Sequence, residues 1–295
     1  FAKSKVGTDG LEQITHTIDD TLQVDSKFAT EYRYRGGNVN NYVTFNNEVW
    51  RIIGVIPTED TDSNVENRIK IIRNESIGDA YWNSNDGTTG LSSKDNDYSI
   101  DSLTNLDNTR SNDLEYLAVP GKVNCDSASN NWSNSSLNKY LNSTYYNSLS
   151  NYNMVDSIKY YLGGTNVVSV GNLTTIYNRE RKVYDSNYYD SDNPANVVNY
   201  LALMYTSDYG YAASDECTSN IMNYNSTSCK NNNWLFLGKN ENLLMPAVNS
   251  GAITTINSDG SVLASICIKD KLAVRPVLYL KPNVKISGTG TTSDP

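Results

Sequence analysis

The chain of 295 residues holds one histidine, His16. Histidine is the usual general base near neutral pH. A single copy excludes metal centres built on several imidazoles and leaves Ser-His-Asp or Cys-His catalysis with one distant candidate base. Charge is also scarce, at 19% of residues, and its excess is acidic, with a formal net charge of -9. Nucleic-acid binding needs a basic footprint that displaces counterions, and binding to anionic lipid surfaces needs the same sign; neither is present. No apolar run approaches the roughly 18 residues of a membrane span. The four cysteines, Cys125, Cys217, Cys229 and Cys267, include no Cys-x-x-Cys pair, which argues against a zinc ribbon or a dithiol redox motif. Gly-x-Ser-x-Gly, Walker, Gly-x-Gly-x-x-Gly and His-Glu-x-x-His motifs are missing as well. A glycoside hydrolase needs only paired carboxylates. The 33 Asp and Glu leave that class open, but no spacing singles out a pair.

Polarity comes instead from Asn, Ser, Thr and Tyr. With 22 Tyr and 4 Trp, the composition is that of a folded chain rather than a disordered acidic one. Cys217 and Cys229 bracket a polar loop and form the best disulfide candidate. Cys125 and Cys267 are a second candidate pair, and four separate thiols are the alternative. An even cysteine count in an Asn-rich chain favours an exported protein. The first residue is Phe1, which fits a removed leader or a fragment of something longer. Six Asn-x-Ser/Thr sequons begin at Asn74, Asn131, Asn134, Asn142, Asn172 and Asn225, a number that this composition gives by chance.

Leu11, Ile14, Ile18 and Leu22 fall at spacings of three and four and predict an N-terminal helix over 8–29, capped by Asp9. That helix reads either as a packing element or as an assembly segment. A hairpin follows, Tyr42–Phe45 and Glu48–Val55 around Asn46-Asn47, because Asn tolerates the positive φ of a tight turn. Pro57 and the acidic 59–62 stretch end its second strand, and 68–73 is a third strand. Residues 83–113 read as a long loop, in which Asp86, Asp95, Asp97 and Asp101 are either calcium donors or a solvated acidic surface. Two helices are expected next. One runs over 135–149 with Leu137, Leu141, Tyr145 and Leu149 on its stripe. The other is short, carries Met154, Ile158, Tyr161 and Leu162, and stops at Gly163-Gly164. Residues 201–205 read as a buried strand, 252–268 as a hairpin turning at 258–260, and 272–280 as an apolar closing strand with Pro276 at an edge or bulge. The Gly/Ser/Thr-rich end reads as mobile.

Tyr and Trp supply rigid contact area, while Asn and Ser supply adaptable hydrogen bonds, the chemistry of binder loops. Asn231, Asn232, Asn240, Asn242, Asn249, Ser250 and Asn257 are the candidate ligand contacts. Trp50, Trp132, Trp234, Arg275, Cys217 and Cys229 are the candidate structural residues.

Several stretches together carry a resemblance. They are Asn40-Asn41-Tyr42-Val43-x-Phe45-Asn46-x-Glu48-x-Trp50-Arg51-Ile52-Ile53-Gly54-Val55, Trp132-Ser133-x-Ser135-Ser136-Leu137-Asn138-x-Tyr140-Leu141-Asn142, Leu203-Met204-Tyr205-x-Ser207-Asp208-Tyr209-Gly210-Tyr211-Ala212, Asn233-Trp234-Leu235 and Ala273-Val274-Arg275-Pro276-Val277-Leu278-Tyr279-Leu280. Over about residues 32–290 the chain resembles exported proteins of gut Firmicutes with a C-type-lectin-like domain of the formylglycine-generating-enzyme type. Related domains include diversity-generating-retroelement variable proteins and pilin-linked domains. The resemblance implies an α+β fold with a short, twisted antiparallel sheet, two helices and extensive loops, and a ligand face within 240–270. Leu243-Leu244-Met245-Pro246 departs from the Trp-Thr-Leu-Ser-Pro usual there, and the paired cysteines of the oxidase relatives have no counterpart around Cys267.

The resulting expectation has three parts: an N-terminal helix over 1–30, a C-type-lectin-like domain over 31–286 and a flexible tail over 287–295. The expected function is that of an exported, cell-surface recognition or adhesion module, not an enzyme, binding a protein or glycan with no cofactor other than the calcium considered above. The alternative is a structural subunit of a pilus-like filament that self-assembles through the N-terminal helix. A carboxylate-based glycoside hydrolase is the third reading.

Overall fold

A computed structural model describes residues 2–83, 130–162, 172–181, 195–246, 252–267 and 270–295. Strands dominate. The first six are β1 (Leu11–Thr15), β2 (Thr30–Tyr34), β3 (Tyr42–Phe45), β4 (Glu48–Glu59), β5 (Val65–Arg73) and β6 (Asp79–Tyr81). Next come β7 (Ile158–Tyr161), β8 (Asn196–Asn199), β9 (Leu201–Ala202), β10 (Glu241–Pro246), β11 (Ala252–Ile256), β12 (Val262–Cys267), β13 (Lys271–Ala273) and β14 (Val277–Tyr279). The helices that matter below are α1 (Ser136–Tyr140), α2 (Leu173–Glu180) and α3 (Thr206–Ala212). The chain is thus a sheet-rich α+β protein with few helices and open sheets.

The β3–β4 hairpin turns through Asn46 and Asn47, both at positive φ (57° and 58°), the geometry that two-residue hairpin turns require. It belongs to a seven-stranded sheet whose main path runs β1-β2-β4-β5-β14-β9, with β3 on β4. Where β2 meets β4, a Cβ on Gly54 would lie 2.0 Å from the Tyr32 carbonyl oxygen, so this contact demands glycine. A second sheet, β12-β11-β10-β13-β6, has five strands, and β7 and β8 pair alone. The two larger sheets meet in one core that includes Trp50, Trp82, Trp132, Leu244, Val274 and Leu278. Both are larger than the single short sheet expected.

Several expectations are corrected here. Residues 8–29 form no helix. Leu11–Thr15 is strand β1, paired antiparallel with β2, and Asp20–Leu22 and Ser26–Phe28 are single 3-10 turns. Gly7, Asp9 and Gly10 sit at positive φ, which breaks a helix at the proposed cap. Ile14, Ile18 and Leu22 pack on one small cluster around Phe28, Tyr161 and Tyr177; the chain reaches it by turning, so the spacing mimicked a helical stripe. Leu11–Thr15 is therefore part of the first sheet, and the helix found before it is the single turn Ala2–Lys5.

Pro57 does not end β4, which runs on to Glu59. The 135–149 helix is present as one continuous helical run over 136–148, with a π turn at Leu141–Tyr145 inside it; Ser135, not Ser133 or Asn134, caps its start by accepting from the Asn138 N–H. The second predicted helix is strand β7, because Ile158 and Tyr160 are both buried at a spacing of two. Gly163-Gly164 and the four loop aspartates, Asp86, Asp95, Asp97 and Asp101, lie outside the described residues. The closing strand is two strands, β13 and β14, in different sheets; Pro276 sits at the crossover, where no ladder bond is lost. The tail is not loose. Gly290 accepts from the Tyr42 N–H at 2.8 Å and the Gly290 N–H donates to Asp294 at 3.0 Å, which ties the terminus to the open edge of β3.

Candidate binding face

After α3 the chain makes a closed excursion. Ala213 bridges Asn233, and the Ser214 N–H donates to the Asn232 carbonyl at 2.9 Å. Between these ends a disulfide joins Cys217 to Cys229, twelve residues apart. Ile221, Tyr224 and Cys229 turn inward, while Asp215, Glu216, Thr218, Asn220, Asn223, Asn225, Thr227, Ser228 and Asn231 are exposed. Asn220 accepts from the Met222 N–H at 2.9 Å, a local bond typical of Asx turns. A fixed polar surface is the result. Replacing both cysteines by serine is expected to lower stability by about 3 kcal/mol, the chain-entropy value for a loop of this length; urea titration of the oxidised protein and of the variant measures it.

The frame under this surface is held from several sides. The Trp234 indole N–H donates to the Tyr34 carbonyl at 2.8 Å, and the Arg51 guanidinium lies 4.6 Å from the Trp234 ring centroid. Asn233 donates to the Tyr209 carbonyl at 2.9 Å and accepts from the Leu235 N–H at 3.0 Å. A Cβ on Gly37 would lie 2.7 Å from the Asn231 carbonyl, so the loop docks backbone to backbone. Arg275 donates two bonds to Glu241, at 2.7 and 2.8 Å, and one to the Leu235 carbonyl at 2.7 Å. Trp50 and Trp132 are fully buried, Trp50 edge-on to Phe45 and Trp132 edge-on to Trp82.

The candidate ligand contacts separate. Asn231 is exposed, and half-buried Asn232 donates to the Ser228 carbonyl at 3.0 Å. Asn240 is half-buried and accepts from the Ser258 N–H at 2.8 Å. Asn242 and Asn257 are buried; they donate to the Leu272 carbonyl at 3.3 Å and to the Ser261 hydroxyl at 3.0 Å. These two are corrected to internal positions: β10 and β11 are covered on both faces, so alternation does not turn every second residue to solvent. Asn249 and Ser250 lie outside the described residues. What remains of the predicted face is Asn231 and Asn232 beside the disulfide, with half-buried Asn240 at the Ser258 turn.

Beneath α3 lies a sealed ionic network that sequence reasoning missed. Arg33 donates to Glu31 at 2.5 and 3.0 Å and to Asp208 at 2.7 Å. The Lys70 ammonium donates to the other Asp208 oxygen at 2.5 Å, and the Tyr205 N–H donates to that oxygen at 2.8 Å. His16 bonds Glu31 at 2.8 Å and stacks on Tyr177 at 3.5 Å. Glu180 accepts from the Ser207 N–H at 2.8 Å and pairs with Arg181 at 3.4 Å. All seven ionisable side chains are buried. Burial pushes Asp208 up, yet Lys70 and Arg33 outweigh it and hold its carboxyl low. Burial likewise raises Glu31, and Arg33 and His16 bring it far below the ordinary range. His16 is lowered by burial despite Glu31. These buried carboxylates tie β2, β5, α2 and α3 together.

Glu180 behaves oppositely: burial raises it to about 7, against the pull of Arg181. A carboxyl whose folded pKa is raised favours the fold below its unfolded value near 4.5, and this contribution disappears as pH rises to about 7. Glu180→Gln is therefore expected to remove about 3 kcal/mol of stability loss between pH 4.5 and 7.5. Denaturant midpoints of both proteins across that range test it; parallel pH profiles would contradict the assignment.

No family model, curated protein or solved structure matches this chain. Among the described residues no group of three or more His, Cys, Asp or Glu side chains is arranged to hold a metal ion, and no helix is long and apolar enough to cross a membrane.

Proposed function

We propose that this chain is an exported, cell-surface recognition module with a C-type-lectin-like domain, binding a protein or glycan ligand through the disulfide-clamped face around Asn231 and Asn232. The observation that carries the reading is the clamp itself. A disulfide closes a solvent-facing polar loop onto a frame of buried Trp234, Asn233 and Arg275, and such cross-links persist in oxidising compartments. The burial of every carboxylate in the ionic network, with the only histidine locked among them, favours binding over hydrolysis. A screen of the full chain against a glycan array and a panel of host and bacterial surface proteins tests the reading. One class of ligand is expected to bind, and Asn231→Ala with Asn232→Ala is expected to weaken it at least about tenfold with the fold intact. Binding indifferent to both substitutions, or no binding at all, would sink it.

A further inference from the structure

A second surface, built from other parts of the chain, has the chemistry of a ligand site. Tyr146 leaves the π turn after α1, Tyr152 opens a 3-10 turn, and Tyr200 joins β8 to β9. The fold gathers these three rings. Tyr146 and Tyr200 stack with centroids 4.1 Å apart and planes 13° apart, and Tyr152 meets Tyr146 edge-on at 5.9 Å. Tyr152 is 53% exposed and Tyr200 36%. Large aromatic rings kept in solvent side by side are unusual, because burial would release the water that they order.

The rings are also held in place. Asn142 accepts from the N–H groups of Tyr200 and Leu201, both at 2.9 Å, and donates to the Leu201 carbonyl at 2.9 Å. The Tyr160 hydroxyl donates to the Tyr200 carbonyl at 3.3 Å. The backbone that carries Tyr200 is thus fixed before a ligand arrives, which lowers the entropic cost of binding there.

The surroundings select the ligand class. Residues 140–155 and 193–207 contain no Asp, Glu, Lys or Arg. Asn147, Asn151 and Asn153 flank the rings in sequence and are exposed or half-buried. The electron-rich faces of the rings attract the C–H groups of a pyranose, and the amides match its hydroxyls. An anionic base-stacking ligand would meet a chain of net charge -9 with no cation supplied by these segments. We infer that Tyr146, Tyr152 and Tyr200 form a platform for a neutral oligosaccharide, separate from the face around Asn231.

The test is calorimetric titration of the full chain with cellohexaose, maltohexaose, mannohexaose, xylohexaose and chitohexaose. At least one is expected to bind with a Kd of about 1 mM or tighter. Tyr152→Ala and Tyr200→Ala should each weaken it about three- to tenfold, and the pair should abolish it. Tyr152→Phe should retain it, because the ring rather than the hydroxyl makes the contact. Asn231→Ala with Asn232→Ala should leave it unchanged, so this site and the disulfide face fail separately. Thermal midpoints within a few degrees of wild type show that the variants fold. Absence of binding to all five sugars, or binding unchanged in Tyr152→Ala/Tyr200→Ala, overturns the inference. Concentration-dependent dimerisation lost in that variant also overturns it, by assigning the patch to a second copy of the chain.

Discussion

Asp208→Asn is expected to cost the fold about 3–5 kcal/mol, the range for removing one partner of a buried ion pair. Asp208 is the single carboxylate shared by Arg33 and Lys70, and all three side chains are shut away from solvent. The substitution leaves Lys70 without an anion, while Arg33 keeps Glu31. The amide can still accept one bond, so much of the loss is charge. Lys70→Met separates charge from packing. Combined with Asp208→Asn it restores the balance of Arg33 and Arg181 against Glu31 and Glu180. The double variant should recover most of the loss, although Met no longer lies as a cation 4.6 Å from the Tyr205 ring centroid. Urea unfolding of the four proteins in one buffer gives the coupling energy directly. Additive losses would mean that Lys70 and Asp208 do not act as a pair.

Glu241→Gln is the second large effect, again about 3–5 kcal/mol. Arg275 stands at the crossover between β13 and β14, just before Pro276. It joins β10 through Glu241 and the frame under the candidate binding face through the Leu235 carbonyl. Without the carboxylate the guanidinium stays buried with the Leu235 carbonyl as its partner. Arg275→Met in the same chain removes that stranded charge and is expected to restore stability to within about 2 kcal/mol of wild type. The same experiment reads the face: if Arg275 holds the Leu235 segment, ligand affinity holds in Glu241→Gln, where the bond to the Leu235 carbonyl remains, and falls once Arg275→Met removes it.

Short-range rules carried the β3–β4 hairpin, since Asn46-Asn47 and the flanking apolar residues act within a dozen positions. The Cys217–Cys229 pair was legible for the same reason: the two cysteines are close in sequence and bound a polar loop. Periodicity failed wherever burial came from the tertiary fold. Ile14, Ile18 and Leu22 meet one cluster without a helix. Thr206–Ala212 is buried all round and so shows no stripe. The ionic network was hidden because β2 turns Glu31 and Arg33 inward and leaves Tyr32 and Tyr34 half-exposed, the reverse of what hydrophobicity suggests. Its partners, at 70, 180, 181 and 208, lie too far apart in sequence for any spacing rule. Asn242 and Asn257 were misplaced because composition marks a residue as suited to contact without saying whether its segment is covered on both sides.

The most direct test of the account is peptide mapping, without reduction, of the protein recovered from its native cells. A cross-linked peptide pair containing Cys217 and Cys229 is the predicted result, since the proposed recognition face depends on that clamp. Free thiols at both positions in freshly recovered, ligand-competent protein would contradict it.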